Sequence, residues 1–170
     1  MDALPDHRPT LEAYARQNLP RYTSYPTAPH FAPLAEATYR AWLAEVAPGD
    51  TLSLYLHVPF CQSLCWYCGC HTAVTRSVSR TARYAAGLER EARLLAAALP
   101  ARTPVEALQF GGGTPSAIGA AAFDGVMAAL RASFDFLPEA ELSVELDPRT
   151  LDADFVAVLA RHGFRRASLG

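Results

Sequence analysis

The 170-residue chain contains no lysine: all fifteen of its Lys+Arg residues are arginine. That excludes, within this stretch, a Schiff-base lysine, a P-loop lysine and a lysine general base. Cysteine is absent outside residues 61–70, where all four lie. Thiols this crowded do not close regular loops, so a structural disulfide framework is disfavoured. Charge of one sign is also lacking. The net charge is −2, which gives no general pull toward nucleic acid or anionic lipid. No apolar run approaches the roughly 20 residues needed to span a bilayer. The first residues, MDALPDHRPT, have no apolar signal-peptide core. The expectation is a soluble, cytoplasmic protein with no nucleic-acid or membrane partner.

Apolar residues make up 51% of the chain and charged residues 19%, a globular composition. Residues 1–33 are rich in Pro and Tyr and read as an extended arm, especially 20-PRYTSYPTAP-29. Residues 35–47 read as a short helix with Trp42, Leu43 and Val46 on one face. Alternation then predicts a strand at 52-LSLYLHV-58, with Ser53, Tyr55 and His57 opposite the leucines. Further elements follow: a helix over about 78–99, a strand at 105–110, a helix over about 116–134, a strand at 141–146, a helix over about 151–162 and the start of a strand from 164. Strand–helix alternation with short loops predicts βαβ units and a parallel sheet. The fold class is α/β: about three and a half units of a parallel (β/α) barrel. A complete eight-unit barrel takes about 250 residues, so the chain is expected to be an N-terminal fragment. The expected division is residues 1–50, arm and helix, and 51–170, an incomplete barrel domain.

The cysteines read 61-CQSLCWYCGC-70, spaced C-x3-C-x2-C-x-C. A structural zinc site and a redox C-x-x-C pair are the competing readings. Structural zinc usually takes a second ligand pair some distance away, and none follows. Thiolates are the natural ligands of iron–sulfur clusters, and Cys61, Cys65 and Cys68 have the spacing to wrap one face of a compact cluster. Three protein ligands leave one iron open to bind something else. On this reading Cys70 is a bystander.

The loop follows the first strand, and parallel barrels build active sites at the C-terminal ends of strands. In 111-GGGTP-115 the glycines favour close approach of backbone to a ligand over a simple turn. Thr114 is a plausible N-cap and Pro115 a first helical residue. Ser143, Glu145 and Asp147 share a side of the third strand. An ionised Glu145 there needs partners, either ribose hydroxyls or an arginine such as Arg149. His57 is the candidate catalytic residue, weighed against a hydrogen-bonded interior histidine. Tyr67, between Cys65 and Cys68, is expected either to pack the loop or to lay its ring near a ligand, an adenine on the resemblance given next.

Cys-x3-Cys-x2-Cys with an aromatic residue before the last cysteine resembles the radical S-adenosylmethionine enzymes. The arm 20-PRYTSYPT-27, the fourth cysteine in 65-CWYCGC-70, and 143-SVELDPR-149 after GGGTP narrow the match. They are similar to the oxygen-independent coproporphyrinogen III oxidases (dehydrogenases) of haem biosynthesis, over residues 14–170. The resemblance implies a 4Fe–4S cluster on Cys61, Cys65 and Cys68, and S-adenosylmethionine bound to its open iron. It implies a 5′-deoxyadenosyl radical that attacks propionates of coproporphyrinogen III, giving vinyl groups and protoporphyrinogen IX. It implies that Tyr55, Gly112 and Glu145 contact the cluster-bound S-adenosylmethionine. Tyr67, Gly113 and Thr114 would lie near a second one, and the arm around Arg21 and Tyr22 would reach toward the site. It also implies an unidentified electron donor and acceptor and a monomer at full length, with the fragment alone inactive. Related haem chaperones keep the three cysteines but generally lack the arm and the fourth cysteine. Those features argue against haem binding and delivery as the function.

Overall fold

The computed structural model describes residues 27–66 and 68–170. The arm residues before Thr27, including Arg21 and Tyr22, and Tyr67 lie outside the described residues. The chain divides into two compact units after Ala35. In the first, Ala28–His30 form a 3-10 turn in which the His30 amide donates to the Thr27 carbonyl at 2.8 Å.

The second unit opens with helix α1, Glu36–Ala44. Strand β1, Leu52–Val58, follows its alternation as predicted. Two short parallel strands, β2 (Phe60–Cys61) and β3 (Ala73–Val74), bracket the cysteine loop. Helix α2, Val78–Ala98, starts at Ser77, whose hydroxyl accepts from the Arg80 amide and satisfies an otherwise orphaned donor. Strand β4 is Pro104–Gly112, helix α3 Ala120–Ser133 and strand β5 Asp135–Leu146. Helix α4, Ala153–His162, is capped by Asp152 and ends at Gly163 in the left-handed conformation. Strand β6 is Arg166–Leu169.

The four longer strands form one parallel sheet in the order β1-β4-β5-β6. Their register explains the two faces. Leu56, Phe110 and Val144 are cross-strand neighbours and buried on the helix side. Tyr55, Gln109 and Ser143 are neighbours on the other. The core is a layer of helices against the first face. Phe123 and Met127 of α3 and Phe155 of α4 are almost wholly buried there. The Phe123 ring lies 4.6 Å from Phe110 and 4.8 Å from Phe155, in tilted contacts that bury much apolar area. Ala85 and Ala92 are the buried residues of α2 with the smallest side chains, and that helix packs against α3. Among the described residues no helix is long and apolar enough to cross a membrane.

Four differences from the sequence reading have local causes. The helix predicted over 35–47 ends at Ala44, so Trp42 and Val46 do not share a face. Trp42 is 54% exposed, while Leu43 and Val46 pack against the core. The helix predicted from 116 is two pieces: a 3-10 turn, Pro115–Ile118, then α3, broken at Gly119 with φ 81°. Thr114 precedes that turn without capping it by its side chain. The third long strand starts at Asp135 rather than 141, because Phe136 pairs with Val105 before a register shift at Val105/Ala107. Pro138 lies in that irregular stretch, where the alternation that marks a strand is lost.

Candidate functional site

The C-terminal ends of β1, β4 and β5 converge on the cysteine loop. The Ala73 amide donates to the Pro59 carbonyl and the Thr75 amide to that of Cys61, which closes the loop's base. The amides of Gly113 and Thr114 donate to the carbonyls of Val58 and Phe60, at 2.9 and 2.8 Å. The end of β4 is thereby stitched to the segment leading into Cys61.

This stitching explains the glycine run. A Cβ on Gly112 would lie 2.7 Å from the Val58 carbonyl oxygen, and Gly112 has φ 116°. A Cβ on Gly113 would lie 2.6 Å from the Phe60 carbonyl oxygen and 2.8 Å from Cys61 Sγ. A Cβ on Gly111 would meet the Tyr55 hydroxyl and the Glu145 carboxylate. Room for a ligand is therefore an incomplete reading of the run, since backbone contacts already require Gly112 and Gly113, while at Gly111 an added Cβ would meet only side-chain ends. The amides of Gly112, Gly113 and Thr114 are all spent on Glu145, Val58 and Phe60. These three amides are therefore not open to a ligand as N–H donors.

A pocket of about 470 Å³ lies between the loop and the strand ends. Cys61, Cys65, Cys68 and Cys70 line one side, Gly112, Gly113, Thr114 and Glu145 the other. All four thiols are free, Cys61 half-buried and the others exposed. Among the described residues, no three His, Cys, Asp or Glu side chains converge to hold a single ion. Thr72 Oγ1 donates to Cys61 Sγ at 3.4 Å. Slight burial, then the neighbouring Cys68 and Glu145, push the Cys70 thiol upward.

Glu145 sits at the end of β5. Its Oε2 accepts from the Gly112 amide at 3.2 Å and Oε1 from Gln109 Nε2 at 3.4 Å. A carboxylate has about four acceptor positions, so capacity remains on the pocket side. Arg149, weighed as its partner, does not pair with it. The Arg149 guanidinium grips Asp147 instead, Nε to Oδ1 at 2.9 Å and Nη2 to Oδ2 at 2.8 Å. Those bonds hold the Asp147 carboxyl below the usual carboxylate range. Arg149 Nη2 also donates to Cys65 Sγ at 3.4 Å.

Tyr55 and His57 project from the same face of β1. His57 Nε2 meets the His71 carbonyl at 2.9 Å, so that nitrogen carries the proton. Nδ1 is then an acceptor, and the Tyr55 hydroxyl donates to it at 3.2 Å. Burial, then the charge of Glu145, push the Tyr55 phenol upward and keep it a donor. Both ring nitrogens of His57 are thus hydrogen-bonded, on a side chain that is partly buried. Thr114, expected as a cap, accepts the Asp147 amide at 3.1 Å.

Sequence reasoning missed Thr72, the Arg149–Cys65 contact and the β2–β3 pair. The last had a faint signal in the apolar Phe60 and Ala73-Val74 flanking the loop. The other two depend on contacts 11 and 84 residues apart, which no local pattern reports.

A profile of the Radical SAM superfamily matches residues 55–170. The chain is 52% identical over 159 residues to an oxygen-independent coproporphyrinogen III oxidase of Bradyrhizobium diazoefficiens, covering 93% of this chain and 35% of that protein. It is 42% identical over 153 residues to the protein of the same name from Escherichia coli K12, covering 89% and 33%. In structure it matches coproporphyrinogen III oxidase from Escherichia coli, described as a radical SAM enzyme. The TM-score is 0.82 at 38% identity, over 94% of this chain and 36% of that one. The chain thus spans about a third of the length of the curated relatives it matches.

Proposed function

The chain belongs to the Radical SAM superfamily, and from that premise we propose that it carries the cofactor-binding part of an oxygen-independent coproporphyrinogen III oxidase. Residues 1–50 are then an arm and helix, and 51–170 part of the barrel domain. The activity is oxidative decarboxylation of two propionates of coproporphyrinogen III to vinyl groups, in the cytoplasm. The carrying observation is one pocket at the strand ends, walled by four soft thiols, Cys61, Cys65 and Cys68 among them, and by Gly112, Gly113 and Glu145.

The donor set fits the implied group. Thiolates suit iron–sulfur clusters, and all four thiols here are free and line the pocket rather than a closed single-ion site. Cys61, Cys65 and Cys68 are the proposed ligands. When bound, a 4Fe–4S cluster with S-adenosylmethionine supplies a 5′-deoxyadenosyl radical that abstracts hydrogen from the substrate.

The chain's own residues bind and orient. Glu145 keeps acceptor capacity toward the pocket and suits ribose hydroxyls. Carbonyls of the glycine run suit the ammonium of the methionine moiety, since an ammonium only donates and needs acceptors. Tyr55, held by His57, completes that set of contacts. His57, the sequence's catalytic candidate, is assigned here the holding of Tyr55. Gly113, Thr114 and Tyr67 are assigned to a second S-adenosylmethionine. Arginine is suited to bind propionates in fork geometry. An external donor supplies the electron and an external acceptor takes one up; the whole protein works as a monomer.

The test is anaerobic incubation of the intact protein with S-adenosylmethionine, a reductant and coproporphyrinogen III. Formation of 5′-deoxyadenosine and protoporphyrinogen IX is expected. Haem binding without turnover would replace this reading with a haem-delivery function.

A further inference from the structure

Among the described residues, two of the three proposed cluster ligands already accept a side-chain hydrogen bond, and the two donors differ in kind. Cys61 Sγ accepts from the neutral Thr72 hydroxyl, Cys65 Sγ from the charged Arg149 guanidinium, each at 3.4 Å. Hydrogen bonds to cluster sulfurs, net charge and solvent exposure set iron–sulfur potentials. Reduction adds negative charge, so a donor or a cation at a sulfur favours the reduced form.

Arg149 is built into place. Its Nε and Nη2 grip both oxygens of Asp147, and its backbone amide donates to Asp147 Oδ1 at 2.9 Å. Asp147 is in turn anchored through its amide to Thr114 Oγ1, and the Thr114 amide donates to Phe60 beside Cys61. One Nη2 proton serves Asp147, which leaves the second for Cys65. The planar fork makes this division possible, and the guanidinium stays charged at every working pH. The Arg149 side chain is 60% exposed and its charge is opposed by Asp147. The direct N–H bond is therefore a larger share of the effect than the bare charge.

We propose that Arg149, gripped by Asp147, is a positioning residue that donates to Cys65 and raises the reduction potential of the cluster held by Cys61, Cys65 and Cys68. Thr72 acts in the same direction on Cys61, more weakly because it is neutral. The inference rests on the proposed cluster ligation, and it assigns the Asp147–Arg149 pair a redox role beyond closing a strand end.

The experiment uses the intact protein, reconstituted anaerobically with iron and sulfide and without S-adenosylmethionine. Iron and sulfide contents are measured, and the cluster is titrated potentiometrically with its EPR signal as readout. The variants are Arg149→Gln, Arg149→Lys and Thr72→Val. Arg149→Gln should keep its cluster and show about a tenfold smaller reduction equilibrium constant, about 59 mV for one electron. Arg149→Lys keeps the charge without the fork and should fall between Gln and the parent. Thr72→Val should move the same way by less. If the parent protein forms no 4Fe–4S cluster, both the ligation and this inference fail. If parent and Arg149→Gln carry full clusters at one potential, the tuning role fails while the ligation stands. Loss of the cluster from both Arg149 variants would overturn tuning in favour of a loop brace.

Discussion

The backbone amide of Gly112 donates to Oε2 of Glu145 at 3.2 Å, tying the tip of β4 to that of β5 on the pocket side. The bond fixes one carboxylate oxygen and leaves lone pairs for a ligand. Glu145→Ala should therefore keep the cluster but weaken S-adenosylmethionine binding. Hydrogen bonds to a charged group are worth about 1.5–3 kcal/mol, so the dissociation constant should rise roughly 10- to 100-fold. Calorimetric titration of the reconstituted protein checks this; an unchanged affinity removes Glu145 from the site.

Cys61, Cys65 and Cys68 should each be needed for the cluster, and Cys70 should not. Single Ser substitutions at the first three should abolish the 4Fe–4S absorbance after anaerobic reconstitution. Cys70→Ser should retain it. Loss of the cluster in Cys70→Ser would show that the loop uses a different set of thiols.

Gly113 is the tightest point between β4 and the cysteine loop. Gly113→Ala places a methyl group against the Phe60 carbonyl and Cys61 Sγ. Overpacking of this kind costs about 1–3 kcal/mol, and here the strain falls on a cluster ligand. Thermal stability and iron content should both drop. Gly69→Ala, in the same loop but with nothing within 4 Å of its added Cβ, is the control and should change stability little.

Phe123 sits at the centre of the aromatic group joining the sheet to α3 and α4. Phe123→Ala should destabilise by about 3–5 kcal/mol. Denaturant unfolding with an unchanged slope would show the loss as cavity formation rather than a changed unfolded state.

Asp124 of α3 bonds Arg161 and His162 at the end of α4, at 2.8 and 2.6 Å. Those bonds hold its carboxyl below the ordinary value. A depressed acid stabilises the fold above its unfolded pKa, near 3.8. That stability is lost as pH falls through the lower folded value. Asp124→Asn should flatten the acid side of a stability–pH curve and leave the slope near neutrality unchanged. Equal acid sensitivity in both proteins would show that the contact does not contribute.

His57 shows where sequence reading stopped. Its position on β1 beside Tyr55 was legible from alternation, because side chains on a strand repeat every two residues. Its state was not, since the His71 carbonyl that takes its Nε2 proton lies 14 residues away across the loop. Arg149 makes the same point. As a nearby cation it is one partner the sequence offers Glu145. Its partner is set by how the chain turns after β5, which brings it to Asp147 and Cys65.

By itself the sequence determined the order of strands and helices, the parallel sheet, and which residues bring thiols, glycines and a carboxylate to the strand ends. Those follow from periodicity, loop length and residue chemistry, all local. Only the tertiary structure decided what the pocket's residues already spend on one another. Gly112 and Gly113 press on the backbone of Val58 and Phe60, Thr114 serves Asp147 instead of a helix cap, and Arg149 reaches a proposed cluster ligand. Each of these depends on strand register or on the turn after β5, which bring residues tens of positions apart to within a hydrogen bond.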